Sequence, residues 1–316
     1  MQTLRTLALS VVAIPAAAGL LPAQDSGSVD LTIDGYGISI GDSRRVNGLR
    51  LNYRDRRLVK VNGVNVTIWL PHEESSGTVN GVALGLPATG AEHINGIGVG
   101  IAGIAAGESI KGIGVGGIGL GAGESLMGVM AGGIGLGAGQ NFRGIGIGGI
   151  GVAAGSDVDG ITLGGIGVGA GSRLRGIHIG GIGVAGGGEL TGLAIGGIGV
   201  GSGGNVTGVT IGGIGVGAGG TVRGITIGGI GVGAGGMLQG LSIAGIGVGA
   251  PRVEGVALSG IAAGGEEVVG FVFATAYFRI ARGGQLTGAS VSAYNHIQGR
   301  QNGLTIGIFN YARTLN

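Results

Sequence analysis

The sequence has no cysteine, only five prolines, and few aromatics: five phenylalanines, five tyrosines and one tryptophan in 316 residues. Without cysteine there is no disulfide framework. With so little proline, and glycine not falling at every third position, collagen is excluded. Charged residues make up 11%, too few for a charge-rich disordered chain. The formal net charge of +2 is too small to recommend a nucleic-acid partner.

What the chain has instead is glycine, 84 residues of it, among many isoleucines and valines. Glycine costs about 1 kcal/mol per helical position relative to alanine, so a helical protein is disfavoured and a repetitive β architecture remains.

The first residues read as a secretory signal. Arg5 supplies a positive start, Leu7 to Leu21 an apolar stretch broken by Pro15, and Leu21-Pro22-Ala23 a cleavage site. Removal of residues 1–23 leaves a nearly neutral exported protein. With no cysteine near the cut, a lipoprotein anchor is excluded. The expected location is the cell surface, outer membrane or periplasm. Residues 24–47 read as a lead-in and 48–316 as a repeat domain, most regular over 96–254.

Internal repetition dominates this domain. Gly112, Gly128, Gly144, Gly160, Gly176, Gly192, Gly208, Gly224 and Gly240 stand sixteen residues apart, and flanking steps of 15 to 18 carry the frame from Gly48 to Gly303. With the opening glycine as position 1, positions 2, 4, 7, 9 and 15 are apolar, as in Ile225, Ile227, Ile230, Val232 and Leu238. Spacing of two is the period of a strand with one buried face. The phase slips at a Gly-Gly pair such as Gly228-Gly229, where glycine allows a bend. Glycine-rich positions 12 to 14 mark a second turn. Position 16 with the next glycine marks a third, as in Asn47-Gly48, Asn62-Gly63, Asn80-Gly81, Asn95-Gly96 and Asn302-Gly303.

These features predict an all-β fold: a single elongated β-solenoid of 15–18-residue coils. All five apolar side chains of each coil are expected to point inward, with Ile182, Ile198 and Ile214 in one column. At about 4.8 Å per coil, the rod measures roughly 80 Å. The rival is a transmembrane β-barrel with strands of about 9–11 residues. Against it stand the recurrence of the same corners in every unit and the phase slip.

Gly303-Leu304-Thr305-Ile306-Gly307-Ile308-Phe309-Asn310, preceded by Asn302, resembles the units of a family of bacterial surface-repeat-containing proteins, which look like N-G-L-x-I-G-L-x-N. Val46-Asn47-Gly48-Leu49-Arg50-Leu51 and Val61-Asn62-Gly63-Val64 match the first half of that unit. The central coils depart from it, with glycine or alanine replacing asparagine and aromatics. The resemblance implies an exported, surface- or envelope-associated protein with no catalytic residues to transfer.

Chemical motifs are weak. Gly37-Ile38-Ser39-Ile40-Gly41 fits G-x-S-x-G, yet no helix follows it. The G-x-G-x-x-G matches lack a βαβ context, and neither Lys60 nor Lys111 sits in a Walker sequence. A calcium roll needs an Asp where Ala185 stands. His72, His93, His178 and His296 lack metal-ligand spacing. The expectation is no enzyme, no cofactor and no metal.

His178 at position 3 is expected to face outward, as is the rank of Thr162, Thr210 and Thr226, which raises ice binding as a lesser idea. Arg143, Asp159 and Arg175 occupy position 16 of consecutive coils and are expected to stack. Arg44, Arg45, Arg50, Arg54, Arg56, Arg57 and Lys60 form the one charge cluster, either a solvated N-terminal part that keeps the rod soluble or a contact for anionic lipid or polysaccharide of the envelope. The flat outer face of glycine, alanine, serine and threonine suits self-association.

Overall fold

The computed structural model describes residues 27–71 and 76–315. The signal segment 1–23 and His72 lie outside the described residues. Among those residues there is no helix, and the chain is a β-solenoid of about 17 coils.

β1 (Ser28–Ile33) and β2 (Tyr36–Gly41) form an antiparallel hairpin. Its turn is Asp34-Gly35, with φ of 52° and 80°, the left-handed geometry that this dipeptide favours. β2 then pairs in parallel with β3 (Arg45–Asn52), Gly37 opposite Gly48. The ladder thus begins one rung before the first coil of the sequence frame, inside the segment read as a lead-in. Every later pairing is parallel, coil on coil. A transmembrane barrel closes an antiparallel sheet, so that alternative is excluded.

A central coil has a long strand and a short one, for example Arg173–Gly180 and Gly183–Gly186. The long strand pairs with Glu189–Gly196, Gly176 opposite Gly192, and the short one with Gly199–Ser202. Bends fall at positions 6–7 and 12–13. The expected third corner, at position 16 and the opening glycine, does not exist: that pair lies inside the long strand. The glycine is required there for another reason. Gly176 has φ +119°, and a Cβ on it would stand 2.1 Å from the carbonyl oxygen of Gly160 in the coil before.

The interior is built from four columns. Position 15 supplies Leu126, Phe142, Val158, Leu174 and Leu190. Position 9 supplies Val152, Val168, Val184 and Val200. Position 11 supplies Ala122, Ala138 and Ala154, and position 3 supplies Thr162, His178, Ala194 and Thr210. Bulk is traded between columns. The Phe142 ring fills the space that a side chain at Gly146 would need, a Cβ there lying 2.6 Å from its Cζ.

The columns expected at positions 9 and 15 are therefore inside, but those at positions 2, 4 and 7 are not. Ile182, Ile198 and Ile214 do form one column, Ile198 N donating to Ile182 O at 2.7 Å and Ile214 N to Ile198 O at 2.6 Å. That column lies on the outside of the rod.

Candidate interaction surface

The outer surface follows from this inversion. On the long strand, the side chains at positions 2 and 4 alternate with the buried one at position 3, so both face solvent. Column 2 runs through Ile97, Ile113, Val129, Ile145, Ile161 and Ile177. Column 4 includes Val99, Val115, Ile147, Leu163 and Ile179. At the corner, Ile118, Ile134, Ile150, Ile166, Ile182, Ile198, Ile214, Ile230, Ile246 and Ile261 form an uninterrupted ladder, each 47–56% exposed. A contiguous aliphatic surface along ten rungs is far beyond the scattered exposed side chains of ordinary soluble domains.

Past the corner the short strand presents position 10, which is bare: Gly121, Gly137, Ala153, Gly169, Ala185, Gly201, Gly217, Gly233 and Gly249. The glycines of this chain fall into two kinds. At position 6, a Cβ on Gly181 would stand 1.9 Å from Gly165 O, so the backbone demands glycine. At position 10, a Cβ on Gly137, Gly201 or Gly217 meets nothing within 4 Å, and none of these residues has a left-handed φ. The bare strip is a property of the surface and not a requirement of the coil.

Beside columns 2 and 4, position 16 carries polar groups of both signs. The stacking expected there is present: Arg143 Nε lies 3.5 Å from Asp159 Oδ2. Two positions earlier, Arg173 binds Asp157 through Nε and Nη2 at 3.2 and 2.6 Å, and this pairing holds the Asp157 carboxyl below its ordinary range. In the first coils the same column is an asparagine ladder, Asn62 donating to Asn47 at 2.6 Å, Asn80 to Asn62 at 2.9 Å and Asn95 to Asn80 at 2.9 Å. Exposed pairs of this kind contribute about 0–1 kcal/mol each.

The basic cluster does not act as a unit. Arg44, Arg45, Arg56, Arg57 and Lys60 are exposed and Arg54 is half-buried. Arg57 Nε lies 3.6 Å from Asp42 Oδ2. Arg50 is fully buried at position 3, where it donates to Ser43 O, Asn65 Oδ1 and Asp42 Oδ1, each at 2.9 Å, and to Asp55. Arg50 is committed inside the rod and offers nothing to an external anion.

His178 and the threonine rank are likewise inside, contrary to expectation. His178 Nδ1 and Thr162 Oγ1 are 2.8 Å apart, and Thr210 donates to Thr226 at 3.3 Å. Burial pushes the His178 imidazole below its ordinary pKa, only partly countered by the Arg175 backbone and Asp159. With the threonines buried, they present no face to ice. Ser39, from the G-x-S-x-G match, is a buried strand residue on β2 that donates to Asp30 at 2.6 Å.

The structure also joins residues that sequence spacing left apart. Glu92, His93 and Glu108 hold their ligand-type atoms within 4.8 Å of one another, His93 Nε2 lying 3.4 Å from Glu108 Oε2. They meet where the register shifts between Ala91 and His93, as a 15-residue coil gives way to a 16-residue one. Glu108 stands one residue before Ser109, the partner of His93 one coil on, and that near-coil separation was the signal in the sequence.

Comparisons with protein families, curated proteins and solved structures return no match to this chain.

Proposed function

We propose that this chain is a non-enzymatic exported structural or interaction protein of the bacterial cell envelope, working through the outer surface of a rigid rod. The observation that carries this reading is the placement of two aliphatic columns, at positions 2 and 4, on the solvent side of the long-strand sheet. Isoleucine at an exposed strand position gains little for folding compared with burial, which is worth about 1.5–3 kcal/mol. A run of such positions marks a contact surface. The signal-like segment and the resemblance to surface-repeat proteins supply the compartment. The exposed Arg44, Arg45, Arg56, Arg57 and Lys60 supply a secondary contact for anionic lipid or polysaccharide at one end.

The test is fractionation of a bacterium expressing the full chain. Wild type is expected in the envelope pool. The triple substitution Ile113→Thr, Ile145→Thr, Ile177→Thr is expected to keep its β circular dichroism and move to the soluble exported pool. Retention of wild type in the cytosol, or an unchanged distribution of the folded variant, contradicts the reading.

A further inference from the structure

The corner ladder and the bare strip lie side by side on one surface, the first a ridge of isoleucine side chains and the second a strip with none. Three residues separate their columns, about 10 Å. We propose that two copies of this chain pair side by side as parallel rods, the isoleucine ridge of each seated along the glycine strip of the other. The pairing presumes that the chain works through its surface, but it uses a different face from the columns at positions 2 and 4.

Three observations select a second copy as the occupant. The first is the strip itself. Glycine is poor in a strand interior, where it often marks close approach of another backbone. Gly137, Gly201 and Gly217 have room for a side chain and no backbone reason to lack one. Keeping that column at glycine or alanine over nine rungs leaves room for a body outside the coil.

The second is pitch. The ridge repeats at the inter-strand spacing, about 4.8 Å, and so does the strip. A copy of the same rod matches this repeat at every rung without strain. A bilayer has no axial repeat to match.

The third is area. A face about 15 Å wide over ten rungs, about 48 Å, gives about 700 Å² per copy and about 1,400 Å² in total, within the 1,200–2,000 Å² of stable complexes.

The direction of pairing also follows. Exchanging ridge and strip between two facing copies requires a two-fold axis parallel to the rods. A two-fold axis across the rods sets ridge on ridge and strip on strip. The rods therefore run in the same direction, and each rung meets its own number in the partner. Position 8 lies between ridge and strip, next to the axis.

Light scattering of the full chain during size-exclusion chromatography is expected to give a dimer at tens of micromolar. A monomer overturns the proposal, and so does a monomer that binds phosphatidylglycerol-containing vesicles through this face. The double substitution Gly201→Leu, Gly217→Leu fills the strip where the coil has open space. It is expected to leave circular dichroism unchanged and give a monomer; a folded variant that stays dimeric overturns the proposal.

Should that variant lose its fold, single cysteines decide. The chain has no cysteine of its own. Gly119→Cys, Gly231→Cys and Gly247→Cys, made separately, are each expected to form a disulfide-linked dimer on mild oxidation. Self-linking absent at both Gly119 and Gly247 overturns the parallel pairing. Fractionation keeps the two readings apart: a monomeric wild type that still sediments with the envelope refutes the pairing and leaves the interaction-rod function standing.

Discussion

At position 3 the first two coils carry Arg50 and Asn65, whereas the central coils carry Thr162, His178, Ala194 and Thr210. The backbone register is the same in both regions, glycine over glycine from Gly37 to Gly303, yet the fillings differ. At the N-terminal end the interior is an ionic and hydrogen-bonded network. Arg50 is held by Asp42, Asp55 and Asn65, Asn52 donates to Asp55 at 2.9 Å, and Thr67 donates to Asp55 at 2.6 Å. In the centre it is mostly valine, leucine and alanine, with threonine and histidine confined to position 3 and glycine where a neighbour's side chain needs the space. One coil geometry thus accepts either chemistry with most of the polar atoms inside paired, although Asn52 Oδ1 in the first region and His178 Nε2 in the second are buried without a partner. The difference bears on stability: a buried ion pair adds little over an apolar filling, but losing one member leaves a naked charge.

The largest effect is therefore expected at the N-terminal end. Asp55→Ala should cost about 3–5 kcal/mol, because buried Arg50 loses one of its two carboxylates and Asn52 and Thr67 lose their acceptor. Hydrogen exchange should show residues 36–67 opening while the central coils stay protected, since each coil depends on its neighbours. The double variant Arg50→Met, Asp55→Asn, which removes both buried charges together, should cost much less. Equal losses for the two variants would break the distinction drawn between the regions.

In the centre, Phe142→Ala should cost about 3–5 kcal/mol in denaturant unfolding, because its ring fills the space over Gly146. Ile145→Ala, three residues away and 42% exposed, should cost well under half of that. Similar costs would mean that inside and outside have been exchanged.

The smallest effect is expected at His178. Its pKa is depressed by burial, so the unfolded chain binds its proton more readily. Its contribution is intact above the ordinary histidine value near 6.5 and is lost as pH falls through that value toward the depressed one. His178→Thr, which copies the neighbouring Thr162, should flatten the fall in stability as pH drops below about 6.5. An unchanged pH profile would contradict the buried, neutral imidazole.

The fold was legible in the sequence because a sixteen-residue glycine frame with paired apolar positions leaves little besides a stack of coils. Which side each apolar residue faces was not. A period of two is identical for either face of a strand, and the usual rule assigns the larger aliphatic side chains to the core. The space between two sheets about 10 Å apart is too narrow for five aliphatic columns. It takes valine or leucine at positions 9 and 15, alanine at 11, and small or polar groups at 3. The clue was position 3 itself, where glycine, alanine, serine and threonine predominate, as suits a crowded interior. The hairpin of β1 and β2 was signalled only by Asp34-Gly35. The partners of Arg50 lie on a loop and two neighbouring coils, separations that a linear reading of the basic cluster does not join.

The central claim is that the isoleucines at position 7 face outward while the valines at position 9 of the same coil face inward. In a chain without cysteine, Ile182→Cys and Val184→Cys place one thiol on each side of the wall. Thiol labelling of the folded proteins, diluted below the concentration at which the rods pair, should be rapid for Ile182→Cys and held to the rate of unfolding for Val184→Cys. Protection at both positions, or the reverse order, would contradict the account.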